Sequence, residues 1–325
     1  MELTGRRVLL VGGAGLIGSH LTDELLRTDV AEIVIFDNFS RGTQANLADA
    51  SNDSRVRIVV GDIADKAALL EAMQGIDGVF LLSALWLLQC AEDPRAGHDV
   101  NVTGNLNVVD ACREAGVQRL VFSSSASVYG NARTSPMTED HPLDNRTFYG
   151  ATKVALEQML RSYNEMYGMD YVALRYFNVY GPRQDYKNAY VSVIMKVLDR
   201  LDQGLPPVVF GDGSQSYDFV YVKDIARANV EAMRGDVSDV ALNVATGVKT
   251  SIREIVQMLQ DIVGSDLKTE YRPASQVFVT DRLGSPDRAR ELLGFQARTS
   301  VREGLSELVQ WRASRIREDA LAASS

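Results

Sequence analysis

Along the first 130 residues, short unbroken apolar runs alternate with segments whose apolar positions recur every three or four residues. Arg7–Val11 (RVLLV), Glu32–Phe36 (EIVIF), Arg57–Val60 (RIVV), Gly78–Leu82 (GVFLL) and Gln118–Phe122 (QRLVF) are too short for helices, and their residue types favour extended backbone. They predict strands. Ser19–Arg27, Lys66–Met73 and Leu106–Ala115 carry helical spacing between them. Apolar strands without polar alternation, separated by helices, predict βαβ units and a parallel sheet covered on both faces. Right-handed crossovers then give an open, doubly wound α/β sheet.

The second half is less regular. Phe148–Tyr167 predicts a long helix and Tyr171–Arg175 a core strand. Beyond Pro182, Tyr190–Leu201 predicts a helix, and Asp218–Val222 an extended segment feeding a helix at Ile225–Met233. Ala241–Val244 predicts a strand, Ile252–Val263 and Val301–Arg315 predict helices, and Ala320–Ser325 a frayed tail. The pattern divides the chain into a dinucleotide-type domain over residues 1–182, which also receives about 218–248, and a smaller lobe from 183–217 and 249–325.

Composition narrows the function. With 46% hydrophobic and 24% charged residues, the chain has the balance of a globular protein. A net charge of −9 supplies no basic footprint, so neither nucleic acid nor an anionic membrane is an expected partner. Two cysteines, Cys90 and Cys112, are too few for a disulfide framework and fit a reducing, cytoplasmic setting. The apolar run at Val8–Val11 is broken at once by glycines, so it reads as a strand and not as a signal peptide.

Gly12-Gly13-Ala14-Gly15-Leu16-Ile17-Gly18 lies between the first strand and the first helix. Gly12 permits a tight turn, Gly15 lets backbone approach a pyrophosphate, and Gly18 lets helix pack on strand. The helix N-terminus offers free N–H groups to phosphate. Asp37 ends the next strand, about 20 residues on, where a carboxylate accepts from ribose hydroxyls and repels a 2′-phosphate; this points to NAD over NADP. Arg41 is near enough in sequence to bear on that choice. Gly61-Asp62-Ile63, after the third strand, is placed to read an adenine edge or simply to turn.

Tyr149 and Lys153, four apart at a helix start, share one face. A tyrosine is a poor base at its ordinary pKa of ~10, and a neighbouring ammonium and the positive nicotinamide ring of an oxidised cofactor are both expected to lower that value. Ser123-Ser124-Ser125 follows the fifth strand at the edge where doubly wound sheets bind ligands, and Ser125 is placed to bond the reacting oxygen.

Together with these motifs, the segments VGGAGLIGSH, FDNFSRG, GDI, NVTGNLNVVDAC, FSSSASVYG, FYGATK, LRYFNVYGPRQ and DFVYVKDIARA make the chain resemble the extended short-chain dehydrogenase/reductases, and among them the UDP-sugar 4-epimerases. The resemblance implies a Rossmann-type sheet with a smaller C-terminal substrate-binding lobe. It implies NAD contacts at Gly12, Gly15, Leu16, Ile17, Gly18, Asp37, Asn38, Asp62, Ile63, Leu82, Ala84, Asn101, Tyr149, Lys153 and Phe177. It implies catalytic roles for Ser125, Tyr149 and Lys153, and substrate contacts at Ser125, Asn178, Val208, Phe210, Tyr217 and Arg282. It further implies a nucleotide-sugar substrate, UDP-linked, no metal, and a homodimer buried through the helices over Thr103–Ala115 and Tyr149–Tyr167. His20 reads as a structural helix residue and Cys90 as a small buried filler.

Related 4,6-dehydratases carry an Asp-Glu pair just after the active Ser/Thr, and related decarboxylases a Glu; here Ala126 and Ser127 follow Ser125. The expected reaction is therefore NAD-dependent 4-epimerisation through a transient 4-keto sugar, on a UDP-hexose, UDP-N-acetylhexosamine or UDP-uronate. An oxidoreductase or decarboxylase of the same family, and a non-catalytic NAD-binding regulator, remain as alternatives. Two departures stand out. Tyr217 occupies the place where relatives have an Arg that clamps the diphosphate; either Arg282 or Arg288 supplies that charge, or the substrate presents its phosphates differently. Trp86 stands in a loop that is usually more polar, either to stack on a sugar or to cap the core.

Overall fold

The structure, a computed structural model, describes residues 1–185, 192–273 and 281–323. The first half runs β1 (Arg7–Val11), α1 (Leu16–Leu25), β2 (Glu32–Asp37), β3 (Val56–Val60), α2 (Lys66–Ala72), β4 (Gly78–Leu81), α3 (Leu87–Glu92), α4 (Pro94–His98), α5 (Asn105–Ala115) and β5 (Arg119–Ser125). Next come α6 (Phe148–Tyr167), β6 (Tyr171–Tyr176), β7 (Asn178–Tyr180), α7 (Val193–Asp202), β8 (Val208–Phe210), β9 (Ser216–Tyr221) and α8 (Val222–Arg234). The chain continues through β10 (Val240–Val244), β11 (Lys249–Ser251), α9 (Ile252–Val263), β12 (Glu270–Arg272), β13 (Asp281–Arg282), α10 (Asp287–Leu293) and α11 (Val301–Ala323).

Seven strands form one parallel sheet in the order β10-β6-β5-β4-β1-β2-β3. Alternate residues of the same strands feed two cores. Val8, Leu10, Ile33 and Ile35 pack on one face with Leu21, Leu25 and Ala226, whereas Leu9, Val11 and Val34 pack on the other with Leu69, Val108 and Leu156. Two-sided burial is why these runs show no polar alternation. The chain leaves β1 to one side for β2 and β3 and restarts on the other side with β4, so β1 and β4 flank the switch point where a crevice opens. A third core, with Tyr180, Leu198, Phe219, Leu259 and Leu305, fills the region around a smaller sheet in which β9 pairs with β7, β11 and β13.

Several expectations shift. α1 begins at Leu16, earlier than Ser19, because Gly15 itself is the N-cap. β5 continues through Ser125, so the serine run is the end of the strand itself and does not merely follow it. β3 is an edge strand, and there the two-sided cover fails: Ile58 is 37% and Val60 73% exposed. A π-helical turn over Asp99–Gly104 precedes α5. α7 starts at Val193, and Tyr190 and Val191 lie outside the described residues. α11 runs on to Ala323 where a tail was expected, and Ser324 and Ser325 lie outside the described residues. No helix among the described residues is long and apolar enough to cross a membrane, and they hold no cluster of three or more His, Cys, Asp and Glu able to bind a metal.

Candidate active site

A cleft of about 980 Å³ runs along the C-terminal ends of the strands, from Asp37 and Asp62 at one end to Ser125, Tyr149, Asn178 and Arg282 at the other. Gly12, Gly15, Leu16, Ile17 and Gly18 line its floor. Gly12 has φ +86°, and a Cβ there would lie 2.8 Å from the backbone nitrogen of Ser83. Gly18 packs so closely that a Cβ would lie 2.5 Å from the Gly13 Cα. Gly15 caps α1 without any side-chain acceptor, which leaves the first N–H groups of α1 for an anion. This backbone cradle fits a dinucleotide.

Asp37 is buried at the end of β2. Its carboxylate accepts from the N–H of Ala14 at 2.9 Å and of Phe39 at 2.8 Å, tying the glycine loop to the turn beyond, and it still lines the cleft. Asn38 Nδ2 donates to Asp62 Oδ2 at 2.8 Å; both line the cleft with Ile63, Leu82 and Ala84. Asn101 is placed differently. Its amide accepts from the N–H of Leu85 at 2.7 Å and donates to the Leu85 carbonyl at 2.8 Å, so it shapes the cleft wall from behind.

At the far end, α6 grips the end of β5. Ser125 and Tyr149 both line the cleft here, and the Ser125 hydroxyl stands near enough to favour the Tyr149 phenolate. Lys153 Nζ donates to the Ser123 carbonyl at 2.8 Å and lies 5.5 Å from the Tyr149 ring centroid. One turn on, Glu157 accepts from Ser124 Oγ at 2.5 Å and from Arg175 Nη2 at 2.6 Å. Tyr149, Lys153 and Glu157 are thus one stripe of α6 seated on Ser123–Ser125. Glu157 and Arg175 were missed in the sequence, although four-residue spacing from Lys153 marks Glu157 on the same helix face.

The electrostatics correct one expectation. Tyr149 is pushed up to about 12, chiefly by burial, although the nearby Ser125 hydroxyl and the Arg282 and Arg41 guanidiniums work against it. Lys153 is pushed down to about 8, again by burial. The expected lowering by Lys153 does not occur, because its ammonium is aimed at the Ser123 carbonyl and desolvation outweighs the favourable charges.

Among the expected substrate residues, Ser125, Asn178 and Arg282 line the cleft; Val208, Phe210 and Tyr217 do not contribute to its described lining. Arg282 is the register partner of Tyr217 across β13 and β9. Its Nε is buried without a hydrogen-bond partner, and burial lowers the group to about 10. Arg288 donates instead to Asp140 at 2.8 Å, outside the cleft lining. Trp86 lines the cleft with the Arg41 guanidinium 5.2 Å from its ring centroid. His20 donates to the Pro182 carbonyl at 3.0 Å and is pushed down to about 4 by burial, as suits a structural residue. Cys90 is buried against Leu85 and Asn101, and burial raises its thiol.

Comparison with known proteins extends this geometry. The model of the NAD dependent epimerase/dehydratase family matches residues 8–245. A UDP-glucose 4-epimerase of Mycolicibacterium smegmatis is 35% identical over 308 residues, covering 94% of this chain and 98% of its own. A UDP-N-acetyl-alpha-D-glucosaminuronate decarboxylase of Bacillus cytotoxicus is 30% identical over 321 residues, covering 94% of this chain and 97% of its own. Among solved structures, a UDP-N-acetylglucosamine 4-epimerase from Methanobrevibacter ruminantium, in complex with UDP-N-acetylmuramic acid, superposes with a TM-score of 0.91 at 34% identity, covering 96% of this chain and 99% of that one.

Proposed function

The chain belongs to the NAD-dependent epimerase/dehydratase family, and from its site we propose that it is a nucleotide-sugar 4-epimerase acting on a UDP-linked sugar. The observation that carries this reading is that Ser125 and Tyr149 line one end of the cleft together, while Ala126 and Ser127, not carboxylates, follow Ser125. Among the described residues, the carboxylates lining the cleft are Asp37, Asp62, Asp185 and Asp319. Asp37 and Asp62 belong to the β2 and β3 ends, and Asp185 lies 4.0 Å from Arg41. Such a site has the means to move one proton on one oxygen, and the positions after Ser125 where related dehydratases carry their acids hold Ala126 and Ser127.

The glycine cradle, Asp37, Asn38, Asp62, Ile63, Leu82, Ala84 and Phe177 would hold NAD, with Asn101 acting through Leu85. NAD supplies the hydride acceptor and a positively charged ring. Tyr149 takes the proton of the C4 hydroxyl and later returns it, while Ser125 bonds the same oxygen. Lys153 holds the nicotinamide ribose and adds positive charge beneath the phenol. Asn178 and Arg282 take the diphosphate, Arg282 carrying the charge that Tyr217 lacks. Val208, Phe210 and Tyr217 belong to the nucleotide side of the lobe formed by 183–217 and 249–325, the NAD-binding domain being 1–182 with about 218–248. Helices α5 and α6 form a two-fold homodimer interface, consistent with Phe148, Met166 and Tyr167 being 40%, 65% and 51% exposed. Sedimentation at micromolar concentration tests the dimer, and a monomer overturns it.

NMR of products from UDP-, GDP- and dTDP-sugars tests the reaction. The expected result is a C4 epimer of a UDP-sugar, with C4 deuterium retained and no net absorbance of reduced nicotinamide. Carbon dioxide released from a uronate, or solvent deuterium at C5, overturns it.

A further inference from the structure

The loop after β2 carries a cation that the proposed reaction does not use. Asp37–Gly42 is tightly built: Phe39 has φ +56°, its N–H bonds the Asp37 carboxylate, and Ser40 N–H bonds Asn38 Oδ1 at 3.0 Å. A Cβ on Gly42 would lie 2.6 Å from the Ala14 Cβ, and Thr43 N–H reaches the Ala14 carbonyl at 3.3 Å. Arg41 is therefore mounted firmly against the glycine loop. From there its guanidinium lies over the Trp86 ring, donates to Gln89 Oε1 at 3.3 Å, and stands 4.0 Å from Asp185 Oδ2. Its charge is also felt at Tyr149. A side chain rooted at the β2 end thus meets α3 on one side and the segment after β7 on the other. Arg41, Trp86 and Asp185 all line the cleft in which a dinucleotide stretched from Asp37 to Tyr149 would lie.

We propose that Arg41, with Trp86, Gln89 and Asp185, is a clasp across the cleft that sets how long NAD stays bound. An enzyme that regenerates its cofactor within each turnover gains from slow release, and a cation beside a dianionic diphosphate opposes departure electrostatically. The inference rests on NAD occupying the cleft, as proposed above, and not on which sugar reacts.

The test is stopped-flow release of NADH, followed by loss of its fluorescence after a chase with excess NAD. Arg41→Met, which keeps length but loses charge and fork, is expected to release NADH about tenfold faster, a change of about 1.4 kcal/mol. Arg41→Lys should fall between Arg41→Met and the parent, and Asp185→Asn should accelerate release less than Arg41→Met. UDP affinity by calorimetry should stay within about twofold of the parent in all three. Release from Arg41→Met within about twofold of the parent overturns the clasp, as does a parallel loss of UDP affinity, which marks a general loosening. Failure of the parent to bind NADH overturns the clasp and the cofactor reading together, whereas an unexpected sugar product leaves the clasp standing.

Discussion

The β2 end and the β5 end of the cleft are built from different materials. Near β2, the floor is backbone: the Gly12–Gly18 loop, the open N-terminus of α1, and a carboxylate that itself holds two backbone N–H groups. Near β5, the reactive groups are side chains brought together from β5, α6, β7 and β13, and burial dominates their chemistry. Backbone recognition comes with the fold and tolerates change in any one side chain. Side-chain recognition depends on long-range register, so a single substitution should remove one function while leaving its neighbours intact.

That contrast predicts effects of graded size. Tyr149→Phe should lower turnover by about 10²–10⁴. NADH affinity should be nearly unchanged, because only the proton path is lost. A variant retaining most turnover shows that the base lies elsewhere. Arg282→Met should weaken UDP binding by about 1.5–3 kcal/mol in calorimetry, the range for a hydrogen bond to a charged group, and leave NADH binding alone. Equal losses of both ligands would mean that the two ends are not separable.

Lys153 gives opposite slopes in one pH window. Its proton is held to about 8 in the folded chain and to ~10.4 when unfolded. Between those values the unfolded chain binds more protons, so the lysine makes stability rise with pH. NADH affinity should instead fall as pH rises through about 8, if the ammonium holds the ribose as proposed. Thermal melts and NADH titrations, compared with Lys153→Met, check both slopes; a variant that keeps the affinity limb near that pH assigns it to another group. Asp37→Ser should produce the smallest change, about 0.5–1.5 kcal/mol in NAD affinity with weaker rejection of NADP. Tighter NADP than NAD binding by the parent would remove the role given to Asp37.

The same contrast explains what could be read from the sequence. The glycine loop, Asp37 and the Tyr149–Lys153 pair are local patterns, each set by spacing within one turn or one βαβ unit; the structure brings the loop, Asp37 and Tyr149 to one cleft and buries Lys153 outside its described lining. The parallel, doubly wound character of the sheet follows from alternation and crossover rules, whereas the pairing of β1 with β4 is seen only in the structure. The short strands β7, β8, β11, β12 and β13 were not legible, because none holds more than three residues and their pairing is decided by partners far along the chain. The Tyr217–Arg282 register belongs to that class. Nor could the sequence weigh desolvation: Lys153 beside Tyr149 suggests a lowered phenol, and only the depth of burial reverses the sign. Glu157 was visible as spacing but silent as chemistry until Ser124 and Arg175 were seen to meet it.

One feature of the topology bears on how a sugar is turned over. The chain leaves the large sheet after β6, builds β7 and β9 in the small sheet, returns for β10 at the sheet's outer edge, and leaves again for β11. The two layers are thereby sewn together by several threads, and a seam of that kind resists the wide swing available to lobes joined by one linker. A sugar that must present first one face and then the other would have to pivot inside a chamber whose walls hold still. Room to pivot is then a property of the resting shape, and a bulky residue pushed into the chamber should stop inversion while leaving the first half of the reaction running.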